Sequence, residues 1–211
     1  MRLAIFSDLH GDLPALQRAL EQAEHFECSV LVCAGDLVDG EPFPEDVIGL
    51  LRERKIPCIR GNHDRWAIGA GRAVEPHGAL SGAPYDASGF GLSRDAVRYL
   101  AKLPTYWEAM LEGARVAVHH GRAGNDMKGV YPDLDQAEAQ TLLEAAGADV
   151  LLLGHTHEAF VAQLTDGRLI ANPGALWGPG GGTFGVLDIA ERKFRVFRAG
   201  GGEVQIPRVR F

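Results

Sequence analysis

The chain has 211 residues, 46% of them hydrophobic and 23% charged, and a formal net charge of −7. That is ordinary globular composition, sized for one domain with an α/β or sandwich core spanning 1–211. It counts against bulk nucleic-acid binding, which rests on a basic face, and no apolar run approaches the roughly 20 residues that cross a bilayer.

Leu3-Ala4-Ile5-Phe6 reads as a buried strand that leads directly into a polar cluster, so a cleavable signal peptide is not expected. Asp12 predicts a helix cap, with Leu13 and Pro14 opening the helix and Leu16, Leu20 and Ala23 on one face. Val30-Leu31-Val32-Cys33 is a second strand. Pro44 opens another helix, with Glu45 and Asp46 in its first turn. Ile56 to Ile59 reads as a third strand. The segment from Trp66 to Leu92 is Gly-rich with little periodicity, and predicts a lid or specificity loop over 66–92. Val116-Ala117-Val118 and Val150 to Leu153 are further strands, separated by a helix around Gln136 to Ala146. Strands alternating with helices argue α/β organisation. Leu169-Ile170, Phe184 to Ile189 and Phe194 to Phe197, with only turns between them, suggest antiparallel pairing and a second sheet packed on the first. Cys28, Cys33 and Cys58 are odd in number and lack a C-x-x-C spacing. They read as buried free thiols, which fits a reducing, cytoplasmic compartment.

Four clusters follow strand-like runs: Asp8-Leu9-His10, Gly35-Asp36, Gly61-Asn62-His63-Asp64 and Gly154-His155-Thr156-His157. His119-His120-Gly121 follows a fifth run, and of eight histidines only His25 and His77 lie outside these groups. Carboxylate, imidazole and amide ligands delivered from several strand ends are what a two-metal hydrolytic centre requires. Taken alone, D-x-H fits a surface turn better than a ligand pair. Two imidazoles at i and i+2 leaving a buried strand have few structural explanations, and the full ordered set has almost none.

The order D-x-H, G-D-x-x-D, G-N-H-D, H-G, G-H-x-H resembles the calcineurin-like metallophosphoesterase superfamily over residues 3 to about 175, and within it the short bacterial and archaeal phosphodiesterases. Asn172-Pro173-Gly174 and the Leu103-Pro104 end of a helix are similar to that subgroup too. The resemblance implies a four-layered α/β/β/α sandwich with two central mixed β-sheets and a dinuclear metal site at the strand C-termini. It implies one ion held by Asp8, His10, Asp36 and His157, and a second by Asp36, Asn62, His120 and His155, with Asp36 bridging. His120 is preferred to His119 because the family's ligand stands immediately before the glycine. His63 takes the position that faces the leaving group, and Asp39 matches the carboxylate that orients it. Asp12 and Asp64 are weaker candidates, each able to cap a turn. Mixed oxygen and nitrogen ligands suit divalent transition ions: manganese by resemblance, with iron, zinc, nickel or cobalt as alternatives.

The implied activity is hydrolysis of a phosphate ester, a phosphodiester first, by in-line attack of a hydroxide shared between the ions. Its substrate would be a small phosphate ester, nucleotides included, with no membrane partner and a homo-oligomer left open. Phosphomonoester or dinucleoside polyphosphate hydrolysis is the alternative. Relatives of those kinds continue the second motif as Asp-Arg-Gly, whereas here Gly40 and Glu41 follow Asp39. Arg122 and Arg65 are candidate replacements for that clamp, although a solvated arginine accounts for either. A non-catalytic protein-binding scaffold is a remote further reading, since it predicts missing ligands and every ligand position is filled.

Overall fold

A computed structural model of the chain describes residues 1–40, 42–73, 91–178 and 181–211. In chain order the elements are β1 (Arg2–Phe6), α1 (Leu13–His25), β2 (Val30–Cys33), α2 (Pro44–Glu53), α3 (Asn62–Ala73), α4 (Arg94–Lys102), β3 (Tyr106–Leu111), β4 (Ala114–His119) and α5 (Gln136–Ala146). The remainder is strand: β5 (Val150–Leu152), β6 (Phe160–Gln163), β7 (Leu169–Asn172), β8 (Thr183–Asp188), β9 (Lys193–Arg198), β10 (Glu203–Val204) and β11 (Arg208–Arg210).

The strands form two mixed sheets, ordered β10-β9-β8-β1-β2 and β11-β6-β7-β5-β4-β3. Side chains alternate across a strand, so each strand feeds two cores. Leu3, Ile5 and Val32 meet Val116, Val118, Val150 and Leu152 between the sheets. Ala4, Phe6 and Cys33 face Leu16, Ala19, Leu51 and Leu100 of the helices outside the first sheet. Ala117, Leu151 and Ile170 face Leu142 and Leu143 of α5 outside the second. The layering is therefore α/β/β/α. Each fully buried Phe or Leu adds about 1.5–3 kcal/mol, and every layer boundary is lined with them. Asp12 caps α1 by accepting from the Ala15 N–H at 2.9 Å, with Pro14 in the first turn.

Three expectations need correction. Ile56 to Ile59 is not a strand; one bridge joins Cys58 to Cys33, because Pro57 has no N–H to extend the ladder and Gly61 turns the chain away. The loop expected over 66–92 does not start at 66. Residues 66–73 continue α3, whose Ala67 and Ile68 are buried, and the lid assigned to the rest falls largely on 74–90, outside the described residues. The C-terminal strands do not make a sheet of their own. β8 pairs antiparallel with β1 and β9, whereas β7 lies in the other sheet, parallel to β5 and antiparallel to β6. Cys33 and Cys58 are buried free thiols, while Cys28 is only half-buried. No described helix is long and apolar enough to cross a membrane.

Candidate metal centre

The parallel strands β1 and β2 run out together, and their loops stay paired beyond the strand ends. Asp8 N–H donates to Gly35 O, and both Leu9 and His10 N–H donate to Asp36 O. This pairing turns the backbone sharply. Asp8, His10, Asp36, Asp39, His155 and His157 all adopt left-handed conformations, with φ of 54°, 44°, 53°, 74°, 70° and 59°. Non-glycine residues hold that conformation at a cost of order 1–2 kcal/mol each. The rest of the fold bears that cost here to aim six polar side chains at one place. On the opposite sheet β4 ends at His119, which puts His120 in reach, and β5 ends just before Gly154 and His155.

The floor of the site is buried: Asp8 is 0%, Asp36 1%, Asn62 2%, His120 2% and His10 3% exposed. His120 Nδ1 lies 2.8 Å from Ala34 O and therefore donates there, leaving Nε2 as a lone-pair acceptor in the neutral ring. Facing that nitrogen are two more acceptors, Asn62 Oδ1 at 2.9 Å and Asp36 Oδ2 at 3.1 Å. His10 repeats the pattern. Its Nδ1 is 2.7 Å from Asp39 O, and its Nε2 is 3.3 Å from His157 Nε2, itself 3.3 Å from Asp8 Oδ1. His155 Nδ1 comes to 2.9 Å from Asn62 Oδ1. His155 and His157 can donate to Asn62 and Asp8 in the appropriate tautomer. But His120 Nε2, with Nδ1 committed to Ala34 O, faces acceptors that a buried floor can hold there only around a cation, either a proton or a metal ion. Two overlapping groups, Asp8–His10–His157 and Asp8–Asp36–His120, have donor atoms close enough to share one ion. The donor set fits divalent metals.

Titration behaviour agrees with this. Burial opposes the charged form of His120, but Asp36 and Asp8 outweigh it and push the imidazole up to about 9. The hydrogen bond to Asp8 raises His157 against its burial. Burial raises the Asp8 carboxyl, yet the His157 bond and the His120 charge bring it below the ordinary value. His10 is lowered by burial, and His155 by burial and then by His120. His120 and His157, which face these carboxylates, are thus the two imidazoles whose positive form the site favours.

His63 stands on the rim at the start of α3. Its Nδ1 is 2.7 Å from Asp39 Oδ2, its Nε2 is 4.0 Å from Asp36 Oδ2, and its backbone N–H donates to Asp36 Oδ1 at 2.9 Å. His10, Asp36 and His63 also form a third group close enough for one ion. His119 points elsewhere and stacks on Tyr106 with ring centroids 5.6 Å apart. Neither candidate clamp is idle: Arg65 makes a two-pronged pair with Asp126, at 2.7 and 3.0 Å, and Arg122 pairs with Glu138.

A model of the calcineurin-like phosphoesterase superfamily domain matches residues 1–192. The chain belongs to that superfamily. A solved structure of a hypothetical protein from Pyrococcus horikoshii aligns with a TM-score of 0.77 at 19% identity, covering 95% of this chain and 88% of that one. A metallophosphoesterase from Sphaerobacter thermophilus aligns at 0.70 and 22% identity, covering 98% and 89%. A structure described as a novel archaeal phosphodiesterase aligns at 0.57 and 19% identity, covering 94% and 99%. These likenesses carry the fold of the phosphoesterase chain.

Sequence reading undervalued two residues that support the candidate site and missed a third. Asp64 is wholly buried and accepts backbone N–H groups from Asp36, Leu37 and Gly61 at 3.0, 2.9 and 2.9 Å. Burial and then the charge of Asp36 push its carboxyl up to about 7. Asn172 donates to Gly154 O at 2.8 Å and so steadies the loop that carries His155 and His157. Trp177 edges its ring against His10 at 5.3 Å, and its backbone N–H donates to Asp8 O at 3.2 Å, although nothing in its sequence neighbourhood marks it.

Proposed function

We propose that the chain is a single catalytic domain hydrolysing phosphodiesters of small organic molecules, nucleotides among them, with two divalent transition ions, manganese preferred. The convergence of acceptors on a buried floor carries the reading. Asp8, His10, Asp36 and His157 would hold one ion, and Asp36, Asn62, His120 and His155 the other, with Asp36 shared. When bound, such ions polarise phosphoryl oxygens and supply a nucleophile from water at neutral pH.

The chain's own part begins with orientation. Ala34 O and Asp39 O fix the tautomers of His120 and His10, so each ring keeps Nε2 for a cation. The strained loops hold these donors in place before substrate arrives, which avoids reorganisation during reaction. At the rim, His63 has its Nδ1 taken by a carboxylate side chain, that of Asp39. As imidazolium it gives the Nε2 proton to the leaving oxygen, while Asp39 keeps the ring turned toward the floor. Arg65 and Arg122 border the substrate side, where they help hold phosphate oxygens.

One observation favours diesters: Gly40 follows Asp39 where, by the family resemblance, phosphatases and dinucleoside polyphosphate hydrolases carry an arginine. The shared fold does not choose between them, since one chain that has it is described as a phosphodiesterase and another as a putative diadenosine tetraphosphatase. The test is hydrolysis of an aryl phosphodiester beside the matching aryl phosphomonoester, with Mn²⁺ and with chelator. Chelator-sensitive diesterase activity is expected. Monoesterase activity alone overturns the substrate class, and silence on both with two ions bound overturns catalysis in favour of a scaffold.

A further inference from the structure

A cavity of about 280 Å³ adjoins the candidate metal centre, with His120 in its wall. Arg60, Arg65 and Arg122 line it, together with His119 and one carboxylate, Asp126. In a chain with a formal charge of −7, three guanidinium groups around one small cavity are a local reversal of sign.

The three arginines are not equivalent. Arg65 is clamped by Asp126 through two hydrogen bonds, and Arg122 is held by Glu138 and by Gly129 O at 3.3 Å. Arg60 is different. Its backbone N–H is fixed on Pro104 O at 2.8 Å and the residue is half-buried, yet its guanidinium makes no hydrogen bond or ion pair with any described residue. The Asp126 carboxylate, already bonded to Arg65, feels the charge of Arg60 as well, but with no hydrogen-bond partner among the described residues the Arg60 guanidinium keeps five donors available to whatever enters the cavity. The Arg65–Asp126 pair closes one side, and Arg122 adds a positive edge whose partner, Glu138, lies outside the lining. A planar fork with open donors and surplus positive charge suits phosphate oxygens.

We infer that the cavity beside His120 is a subsite for a second phosphate of the substrate, with Arg60 as the cation that receives it. The inference rests on the phosphodiester reading and narrows it: the preferred diester carries a further phosphate on the part of the molecule that lies over His120. Arg65 and Arg122 shape the subsite, their charges already partly met, while Arg60 supplies the new interaction. The sequence alone does not reveal this, because Arg60 precedes the Gly61-Asn62-His63-Asp64 cluster without belonging to it.

The test compares two substrates with the same leaving group, thymidine 5′-(p-nitrophenyl phosphate) and its 3′-phosphorylated form, on wild type, Arg60→Gln and Arg60→Lys. Binding of thymidine 5′-monophosphate and thymidine 3′,5′-bisphosphate is measured calorimetrically on the same proteins. Wild type should favour the 3′-phosphorylated substrate roughly tenfold or more in kcat/KM, mainly through KM, as a charge-assisted contact allows. Arg60→Gln should erase that preference, and Arg60→Lys should restore part of it. Turnover of both substrates with no preference, or a preference that survives Arg60→Gln, overturns the subsite. No turnover of either substrate overturns the phosphodiesterase reading. The binding series still decides the subsite in that case: tighter bisphosphate binding lost in Arg60→Gln supports it, and equal binding overturns it.

Discussion

The carboxylate of Asp64 accepts the backbone N–H of Asp36 at 3.0 Å and that of Leu37 at 2.9 Å, so a residue on α3 holds the loop carrying Asp36, the carboxylate proposed to be shared by the ions. A third bond, from Gly61 N–H at 2.9 Å, ties the start of α3 into the same knot. Asp64→Asn replaces one acceptor with an NH₂ group that faces N–H donors. Each unmade buried bond costs about 1–3 kcal/mol. The variant should therefore melt lower and bind Mn²⁺ at least about tenfold more weakly, although Asp64 touches no ion. Thermal melting and metal titration check this; unchanged metal affinity would sink the positioning role.

The pair His63–Asp39 makes a different demand. His63→Ala removes the proton donor and leaves the acceptor floor intact, so both ions should remain bound. Hydrolysis of poor leaving groups should fall by about 10²–10⁴-fold, and that of a nitrophenolate leaving group by much less. Asp39→Asn should lie between wild type and His63→Ala. A leaving-group series with metal analysis decides it: loss of one ion from His63→Ala would make His63 a ligand, as its grouping with His10 and Asp36 allows.

Without metal, pH should act on stability in a definite direction. His120 is raised from its ordinary 6.5 to about 9, so its pairing with Asp36 stabilises fully below 6.5 and is lost as pH climbs through 9. Asp64, raised from 3.8 to about 7, works in the same sense: its neutral form is favoured, and stability is lost as pH rises through 7. Chelator-treated protein should therefore melt progressively lower between pH 6.5 and 9. Metal-loaded protein should be flatter, because the ion replaces the protons and releases them on binding. A set of melting curves with chelator and with Mn²⁺ tests this; a chelated protein that gains stability toward pH 9 contradicts it.

Most of the proposed ligands were legible because they follow continuous apolar runs: β1, β2, β4 and β5 announce themselves, and the polar residues at their ends follow, whereas Asn62 opens α3 after a segment that is no strand. Less periodic elements were not. β3 alternates half-buried and exposed residues at a sheet edge, and β10 has only two residues. Gly69 and Gly71 hid α3, although buried Ala67 and Ile68 hold its start against the core. Ile56 to Ile59 has strand composition but lies beside a proline and has a single bridge. Arg60, Asp64 and Trp177 owe their roles to which loops come together, and no local pattern carries that information.

Close approach of those loops also makes two glycines irreplaceable. A Cβ on Gly154 would run into Ser7 Oγ and Asp8 Oδ2, and one on Gly61 into the carboxylate and backbone nitrogen of Asp36. Neither glycine has positive φ, so the obstacle is space alone. Asp8 cannot yield easily, because Oδ2 accepts from Ser7 Oγ at 2.6 Å and from His155 N–H at 3.1 Å. Gly154→Ala should push the β5 loop away from β1, lower stability by about 1–3 kcal/mol and reduce metal affinity together. His155→Ala should separate the two effects. Its ring is only half-buried, so truncation should abolish turnover while leaving the melting temperature of chelated protein near that of wild type. Measuring both variants side by side distinguishes a packing constraint from a ligand: if Gly154→Ala keeps full metal affinity, the loops are looser than these contacts require, and if His155→Ala keeps activity, the second ion is not held there.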